Sequence, residues 1–546
     1  MATTSRPSSA THDVTNQALP YVDRNLFTDH VTLVEALDRE GAGWAHDRLV
    51  ETGRVWGGEP IEWGRQANEH PPKLRTHDRF GNRIDEVEFH PAWHSLMKLS
   101  SESGAHSSPW TDPRPGAHVA RTAGGICGGQ VEAGHGCPIT MTFAAIPALR
   151  AAPDLLAEWE PLLTANAYDG ELRPAAEKGN AKCGMAMTEK QGGSDVRSNT
   201  TRAEPIGGDE YLITGHKWFC SAPMCDLFLV LAQTDEGVTC FAVPRILPDG
   251  ERNVFRLQRL KDKLGNRSNA SSEVEFEGTW ARIVGEPGRG VPTIIEMVAH
   301  TRLDCVVGST GGMRAGVAAA TWHAAHRSAF GKVLADQPLM KNVLADLAIE
   351  SEAATVLAMR LARAYDESDT AFKRLATAVG KYWVCKRLPA HTAEALEVLG
   401  GNGYVEESGM PRLFRESPLN SIWEGSGNVN ALDVLRALAK QPEVLQTFFD
   451  EVTLAAGADA RLDDFVASVR AEFDDLDQVE TRARRIVERL ALALQGSLLV
   501  RGAPPAVADA LCASRLAGDW GHAFGTLPAG TDFDAIIARH TPPLAA

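Results

Sequence analysis

The chain is short of positive charge: 55 lysines and arginines stand against 71 aspartates and glutamates in 546 residues, a formal net charge of −16. A protein drawn onto nucleic acid by its overall field is disfavoured, because any basic surface has to be a local patch on an acidic body. No run approaches the roughly twenty apolar residues of a bilayer span, and the opening MATTSRPSSATHDVTNQ lacks the apolar core of a secretory signal. These absences point to a soluble, cytoplasmic protein without a membrane partner. The nine cysteines (Cys127, Cys137, Cys183, Cys220, Cys225, Cys240, Cys305, Cys385 and Cys512) are odd in number, scattered, and without a C-x-x-C pair. That suits reduced, buried thiols better than a disulfide framework or a zinc site. The P-loop, H-E-x-x-H and G-x-S-x-G patterns are missing too, which removes sequence support for three hydrolytic chemistries. His323 and His326 lie one helical turn apart, but no carboxylate cluster accompanies them, so no metal is expected.

What is present is ordinary globular composition, 44% apolar and 23% charged, in a chain long enough for several domains. A Ser/Thr-rich arm runs to about residue 20, and Pro71 and Pro72 mark a loop. Helical spacing of apolar residues dominates 31–180, exemplified by Leu155, Leu156, Trp159, Leu162 and Leu163. Short apolar or alternating runs follow at 211–213, 227–232, 238–243 and 272–276, and predict strands separated by Gly, Asp and Pro turns. The helical period returns at 302–334, 338–366, 370–400 and 428–440, four long helices of a bundle. A last helical section, more variable, ends in a Pro-, Gly- and Asp-containing tail. The expected divisions are an N-terminal helical domain (1–180), a central β domain (181–290), a helical bundle (291–440) and a C-terminal helical extension (441–546). Gly308, Gly311, Gly312 and Gly316 recur at helical spacing, which suits close helix packing better than dinucleotide binding.

Three segments carry candidate chemistry. MAMTEKQGGSD, Met185 to Asp195, sets the hydroxyls of Thr188 and Ser194 around Gly192 and Gly193; such glycines let backbone N–H groups approach an anion, though an ordinary turn reads the same way. ITGHKWFCSA places Trp218, Phe219 and Ser221 after a strand, where large aromatics beside a hydroxyl wall a flat ligand or simply fill core. SPLNSIWEGSGN puts Glu424 between Trp423 and Gly425, just before a helix. A carboxyl pressed against Ile422 and Trp423 has its pKa raised, as a general base near neutral pH requires. A carboxylate complementing the helix N-terminus is the structural alternative.

Together these segments resemble the acyl-CoA dehydrogenase family over roughly residues 140 to 440. VEFHPAWH, QVEAGHGCPITMTFAA and MTEKQGGSDVRSNTT extend the likeness nearly end to end, toward an alkylation-stress branch of that family. The resemblance implies a mainly α fold with a central β-barrel and a four-helix bundle, a bound FAD, and a homo-oligomer, usually a tetramer. It implies that Met185, Met187 and Thr188 hold the flavin ring and that Ser194 meets the pyrophosphate. Trp218 or Phe219 covers the ring, with Ser221 keeping a hydroxyl there. Arg327, Phe330 and Gln337, with Gly400 and Gly401, correspond to residues that grip a neighbouring subunit's FAD. Ser426 and Asn428 stand where Thr and Gln commonly contact the cofactor, and Glu397 replaces a customary Gln. Glu424 falls on the catalytic glutamate, with Arg302 nearby.

The implied activity is α,β-dehydrogenation of a short or branched acyl-CoA thioester, electrons passing to an electron-transfer flavoprotein. The alternative is an alkylation-stress flavoprotein that binds double-stranded DNA or scavenges alkylating agents with little turnover. For DNA the signal is an arginine group, Arg482, Arg485 and Arg489 on one helix face, in a section (441–546) holding nine arginines, no lysine and sixteen acidic residues.

Overall fold

The computed structural model describes residues 11–543. The first ten residues of the expected arm and the last three of the tail lie outside the described residues. The N-terminal region builds α1 (Val31–Arg39), α2 (His46–Trp56), α3 (Pro60–Glu69), a hairpin of β1 (Lys73–His77) and β2 (Arg83–Glu88), then α4 (Pro91–Glu102), α5 (Ser108–Thr111), α6 (Ala117–Gly129), α7 (Gly136–Leu149) and α8 (Pro153–Leu163). The hairpin departs from the helical reading of 31–180. Its strands are rich in charged residues and only partly buried, so no apolar alternation announced them.

Seven strands follow: β3 (Cys183–Ala186), β4 (Arg202–Gly207), β5 (Glu210–Ser221), β6 (Leu227–Thr234), β7 (Gly237–Pro244), β8 (Arg256–Leu260) and β9 (Ser271–Val284). Their pairing runs β3-β6-β4-β5-β9-β7, with β8 on β9, and an antiparallel β6–β7 ladder returns the end of the path to β6. That ladder closes a barrel, as the family likeness implied. Between Lys217↔Val274 and Cys220↔Ser272 the register of β5 against β9 slips by one residue. This bulge puts Trp218 and Phe219 side by side where strict alternation would separate them.

The rest comprises α9 (Gly290–His326), β10 (Ser328–Ala329), β11 (Lys332–Val333), α10 (Pro338–Asp366), α11 (Thr370–Val398), α12 (Met410–Glu416), α13 (Gly427–Lys440), α14 (Glu443–Val452), α15 (Ala460–Arg470), α16 (Val479–Gly502), α17 (Pro505–Leu511) and α18 (Phe533–His540). The helix expected at 302–334 in fact begins at Gly290, with Pro292 in its first turn, where a missing N–H costs nothing. It ends at His326, where Arg327 turns extended, and Phe330 and Gly331, at positive φ (53° and 77°), make the turn of the β10–β11 hairpin. α10 opens on Pro338, and α11 is capped by the Asp369 carboxylate accepting from the Phe372 N–H.

α9 is buried nearly all round and forms the axis of the molecule. A side chain at Gly311 would stand 2.9 to 3.1 Å from the α6 backbone at Gly129 and Ile126, so close helix packing is what this glycine permits. One hydrophobic core runs through the N-terminal helices, the bundle and the C-terminal helices. A second fills the barrel and takes in Met141 and Ile146 of α7 with Ile294 and Met297 of α9. The tail is stitched in: Arg314 donates to the His540 carbonyl at 2.9 Å, and Glu352 pairs with His540 (2.8 Å) and Arg539 (3.0 Å). All nine cysteines are free, eight of them buried. Among the described residues no helix is long and apolar enough to cross a membrane.

Candidate active site

Glu424 sits in a turn with two successive left-handed residues, φ 56° at Glu424 and 95° at Gly425. For a glutamate this conformation costs on the order of 1 kcal/mol or more, so surrounding contacts must hold it. They do so through three consecutive carbonyls. Lys381 Nζ, on α11, donates to those of Trp423 (2.7 Å) and Gly425 (2.5 Å), and Arg302 Nε, on α9, donates to that of Glu424 (3.0 Å). Asn430 Nδ2 adds a bond to the Gly425 carbonyl at 2.6 Å. Arg302 is fixed in turn by Asp433 (2.7 Å), which Arg374 also grips at 2.7 Å. In trans peptides the N–H opposes the carbonyl, so the N–H groups of Glu424 and Gly425 face away from these cations.

The Glu424 carboxylate accepts from Thr301 Oγ1 of α9 at 2.8 Å. Burial raises its pKa above the ordinary carboxylate value, against the Thr301 bond and the charges of Lys381 and Arg302, which pull it down. The source of the desolvation differs from the sequence reading. Ile422 is mostly exposed and Trp423 turns its indole N–H to Asn420 (2.8 Å), so the enclosure comes from α9 and α11.

The barrel supplies a second wall. Lys217 Nζ pairs with Glu189 Oε1 at 2.8 Å, both side chains fully buried. That pair and the Trp218 N–H to Thr188 carbonyl bond (2.8 Å) tie β5 to the segment after β3. Met185 and Met187 are half-buried there, and a Cβ at Gly193 would fall 2.4 Å from Thr188 Oγ1, so the glycine turn folds tightly over that hydroxyl. Ser194 is exposed at the rim. Lys261 Nζ lies 3.3 Å from the Trp218 ring and 4.7 Å from that of Phe219, which remains 52% exposed. Of the two aromatics, Phe219 is the more exposed. It shares alternation with Ser221, whose Oγ is 3.4 Å from that of Ser271. Burial pushes the Cys137 thiol, at the start of α7, up to about 12, with Lys263 and the Ser221 hydroxyl opposing and Glu424 adding to the push.

The remaining candidates form a separate group. Phe330 is fully exposed at the β10–β11 tip, and Gln337 Nε2 braces that hairpin through the Ala329 carbonyl at 3.1 Å. Beside it a groove of about 350 Å³ is lined by His323, Arg327, Leu334, Gly400 and Gly401. The arm lies along the hairpin: Asn16 exchanges two bonds with Ser328 (2.7 and 2.9 Å), and its carbonyl accepts from Arg327 Nη1 at 2.5 Å. Ser426 and Asn428 are exposed at the start of α13, and the Ser426 hydroxyl makes no capping bond. Arg482, Arg485 and Arg489 do share a face of α16, but all three converge on Glu472, at 2.8, 3.2 and 3.7 Å.

Thr301, Lys381, Cys137 and Lys263 were not picked out from the sequence. Only Lys381, a lone cation in the apolar run AVGKYWVC, carried a usable signal. His323 and His326 gather no metal-binding group among the described residues.

Comparison with known proteins agrees with this architecture. Residues 16–170 match the adaptive response protein AidB N-terminal domain, 184–279 the acyl-CoA dehydrogenase middle domain, and 288–439 the acyl-CoA dehydrogenase C-terminal domain. The chain is 47% identical over 509 residues to the putative acyl-CoA dehydrogenase AidB of Escherichia coli (strain K12), covering 92% of this chain and 94% of that one. It is 30% identical over 477 residues to acyl-CoA dehydrogenase family member 11 of Caenorhabditis elegans, covering 80% and 77%. The structure of Caenorhabditis elegans ACDH-11 in complex with C11-CoA superposes with a TM-score of 0.83 at 25% identity, over 99% of this chain and 95% of that one. The chain belongs to the acyl-CoA dehydrogenase family, whose members are FAD-binding flavoproteins.

Proposed function

We propose that this flavoprotein dehydrogenates a short or branched acyl-CoA between its α and β carbons, with Glu424 as the base. The observation that carries the reading is the Glu424 turn: a carboxyl raised by burial, oriented by Thr301, on a strained backbone whose carbonyls are all tied back to Lys381, Arg302 and Asn430. A base so held takes the α-proton without first reorganising, and its raised pKa improves its match to a weak carbon acid. Because the carbonyls point to the cations, the Glu424 N–H is free to bond the thioester oxygen where negative charge develops.

The residues present fit FAD. Phe219 supplies a half-exposed aromatic ring, Thr188 and Ser221 supply hydroxyls, and the tight Gly192–Gly193 turn lies at the rim. Met185, Met187 and Ser194 complete that end, with Ser426 and Asn428 near the start of α13. When bound, FAD accepts the hydride that leaves the β-carbon. The fully exposed Phe330, with Arg327, Gln337, Gly400 and Gly401 around the second groove, supports a homo-oligomer in which this group holds the adenine end of a neighbour's FAD. An electron-transfer flavoprotein is the proposed acceptor.

The arginine convergence on Glu472 favours this reading over DNA binding, since the three guanidinium groups proposed for phosphate already share one carboxylate. Anaerobic addition of butyryl-CoA and isovaleryl-CoA to the FAD-loaded protein tests the proposal. Bleaching of the flavin band in wild type and its loss in Glu424→Gln are expected; bleaching that persists unchanged in the variant would overturn the role of Glu424.

A further inference from the structure

A cation beside the proposed base is itself held by a carboxylate on the helix that follows the turn. Resting on the dehydrogenase reading above, we infer that Asp433 is a positioning residue for proton abstraction: it keeps the Arg302 guanidinium off the Glu424 carboxylate and on the backbone of the turn. Asp433 lies on α13, three residues after Asn430, which bonds the same turn. Its Oδ2 accepts from Arg302 Nη1 at 2.7 Å and from Arg374 Nη1 at 3.0 Å, and its Oδ1 accepts from Arg374 Nη2 at 2.7 Å. Among the described residues neither arginine has another carboxylate partner. Against the push of burial, the two arginines hold the Asp433 carboxyl below its ordinary range, so its charge persists at neutral pH.

Glu424 offers Arg302 two acceptors, its carbonyl and its carboxylate. Arg302 Nε takes the carbonyl at 3.0 Å, and its Nη2 stands 3.3 Å from where a Cβ at Gly425 would be. The residue before it on α9, Thr301, bonds the carboxylate itself at 2.8 Å. An arginine favours a carboxylate over a carbonyl, because an ionised acceptor roughly doubles the strength of the bond. Asp433 settles that competition by taking the ion pair, which leaves the Glu424 carboxylate with a neutral hydroxyl. Without its charge, Arg302 and Arg374 become uncompensated cations. Rotation of the flexible Arg302 stem then delivers the guanidinium to Glu424, and an ion-paired carboxylate is a poor base. The groups facing the Glu424 carboxyl are Thr301 and Arg302 of α9, Lys381 of α11, and the thiols of Cys305 on α9 and Cys137 on α7, both kept protonated by burial. Of these only Arg302 bonds Asp433, so the influence of Asp433 on the base runs through that one arginine.

The test places Asp433→Asn, which keeps the shape and loses the charge, in wild-type and Arg302→Gln backgrounds. Anaerobic flavin reduction by butyryl-CoA in the FAD-loaded protein is expected to slow about tenfold or more in Asp433→Asn. Its acidic limb should move to lower pH, opposite to the direction expected from removing a cation. In the Arg302→Gln background the same change should slow reduction less than about threefold. An unmoved acidic limb, or an equal loss in both backgrounds, would overturn the inference. Asp433→Glu retains the charge and should keep the wild-type limb; a limb moved downward there overturns the inference even if Asp433→Asn does not fold. Calorimetry reports the ionisation of Glu424 without turnover: the thermal advantage of Glu424→Gln at pH 8 should shrink when Asp433→Asn is added, and an undiminished advantage contradicts the inference. If no thioester reduces the wild-type flavin, the dehydrogenase reading falls, while calorimetry still decides where Asp433 holds Arg302.

Discussion

Replacing Lys381 with Met tests the claim that a buried cation holds the catalytic turn. The Nζ group makes two short bonds, to the Trp423 and Gly425 carbonyls, and the residue is 1% exposed. Hydrogen bonds from a charged donor contribute about 1.5–3 kcal/mol each, so their loss removes roughly 3–6 kcal/mol. Part returns because an ammonium no longer has to be desolvated, a relief of several kcal/mol at most. A net destabilisation of about 1–3 kcal/mol is the expectation. The effect on chemistry is larger, since a base displaced by about 1 Å loses on the order of a hundredfold in rate. The charge of Lys381 also pulls the Glu424 carboxyl down, so its removal lets that pKa rise and moves the acidic limb of activity to higher pH. The assay is anaerobic stopped-flow reduction of the flavin by butyryl-CoA between pH 5 and 9, beside calorimetric unfolding. A variant with reduced stability but an unmoved acidic limb would refute the electrostatic part. Unchanged stability and rate would refute the clamp altogether.

Four further outcomes follow from the same geometry. Thr301→Val deletes the 2.8 Å bond that favours ionised Glu424, so the acidic limb of flavin reduction is expected to move up with about 1 kcal/mol lost in kcat/KM, as a pH–rate profile checks. Glu424→Gln is expected to unfold at a higher temperature than wild type at pH 8. The folded state binds the Glu424 proton more tightly than the unfolded chain, so the stability it provides is complete below the ordinary carboxylate pKa and lost as pH rises through the raised one; calorimetry at pH 4 should show the difference gone. Phe330→Ala removes a fully exposed ring and should leave monomer secondary structure unchanged while speeding FAD release and weakening oligomers, read by fluorescence and sedimentation. Asn16→Ala removes both side-chain bonds to the Ser328 backbone, though not the backbone carbonyl that Arg327 meets, and should loosen cofactor binding severalfold without altering the acidic limb.

The fold was legible where local pattern and tertiary environment agree. The strands of the barrel announced themselves through apolar runs such as LFLVLAQT, and the bundle through Ala- and Leu-rich spacing. The start of α9 was hidden because Pro292, Ile294 and Ile295 read as poor helix formers, whereas Pro in the first turn is harmless and the barrel core buries Ile294 and Met297 there. The charged β1–β2 hairpin had no apolar period to find. At the site, Glu424 stood out because a carboxylate next to Trp and Gly before a helix is chemically odd. Its partners did not, since Thr301 and Lys381 lie 123 and 44 or fewer residues away and meet it only when α9 and α11 pack together. The bulge that sets Phe219 and Trp218 side by side is likewise a property of strand pairing, which no single strand displays.

The central claim is that the Glu424 carboxyl removes the α-proton of a thioester, and hydrogen exchange measures that step without requiring net oxidation. Butyryl-CoA incubated anaerobically with the FAD-loaded protein in deuterium oxide, then analysed by mass spectrometry, should gain deuterium at the α-carbon with wild type and at the background rate with Glu424→Gln. Equal exchange with both proteins would contradict the account.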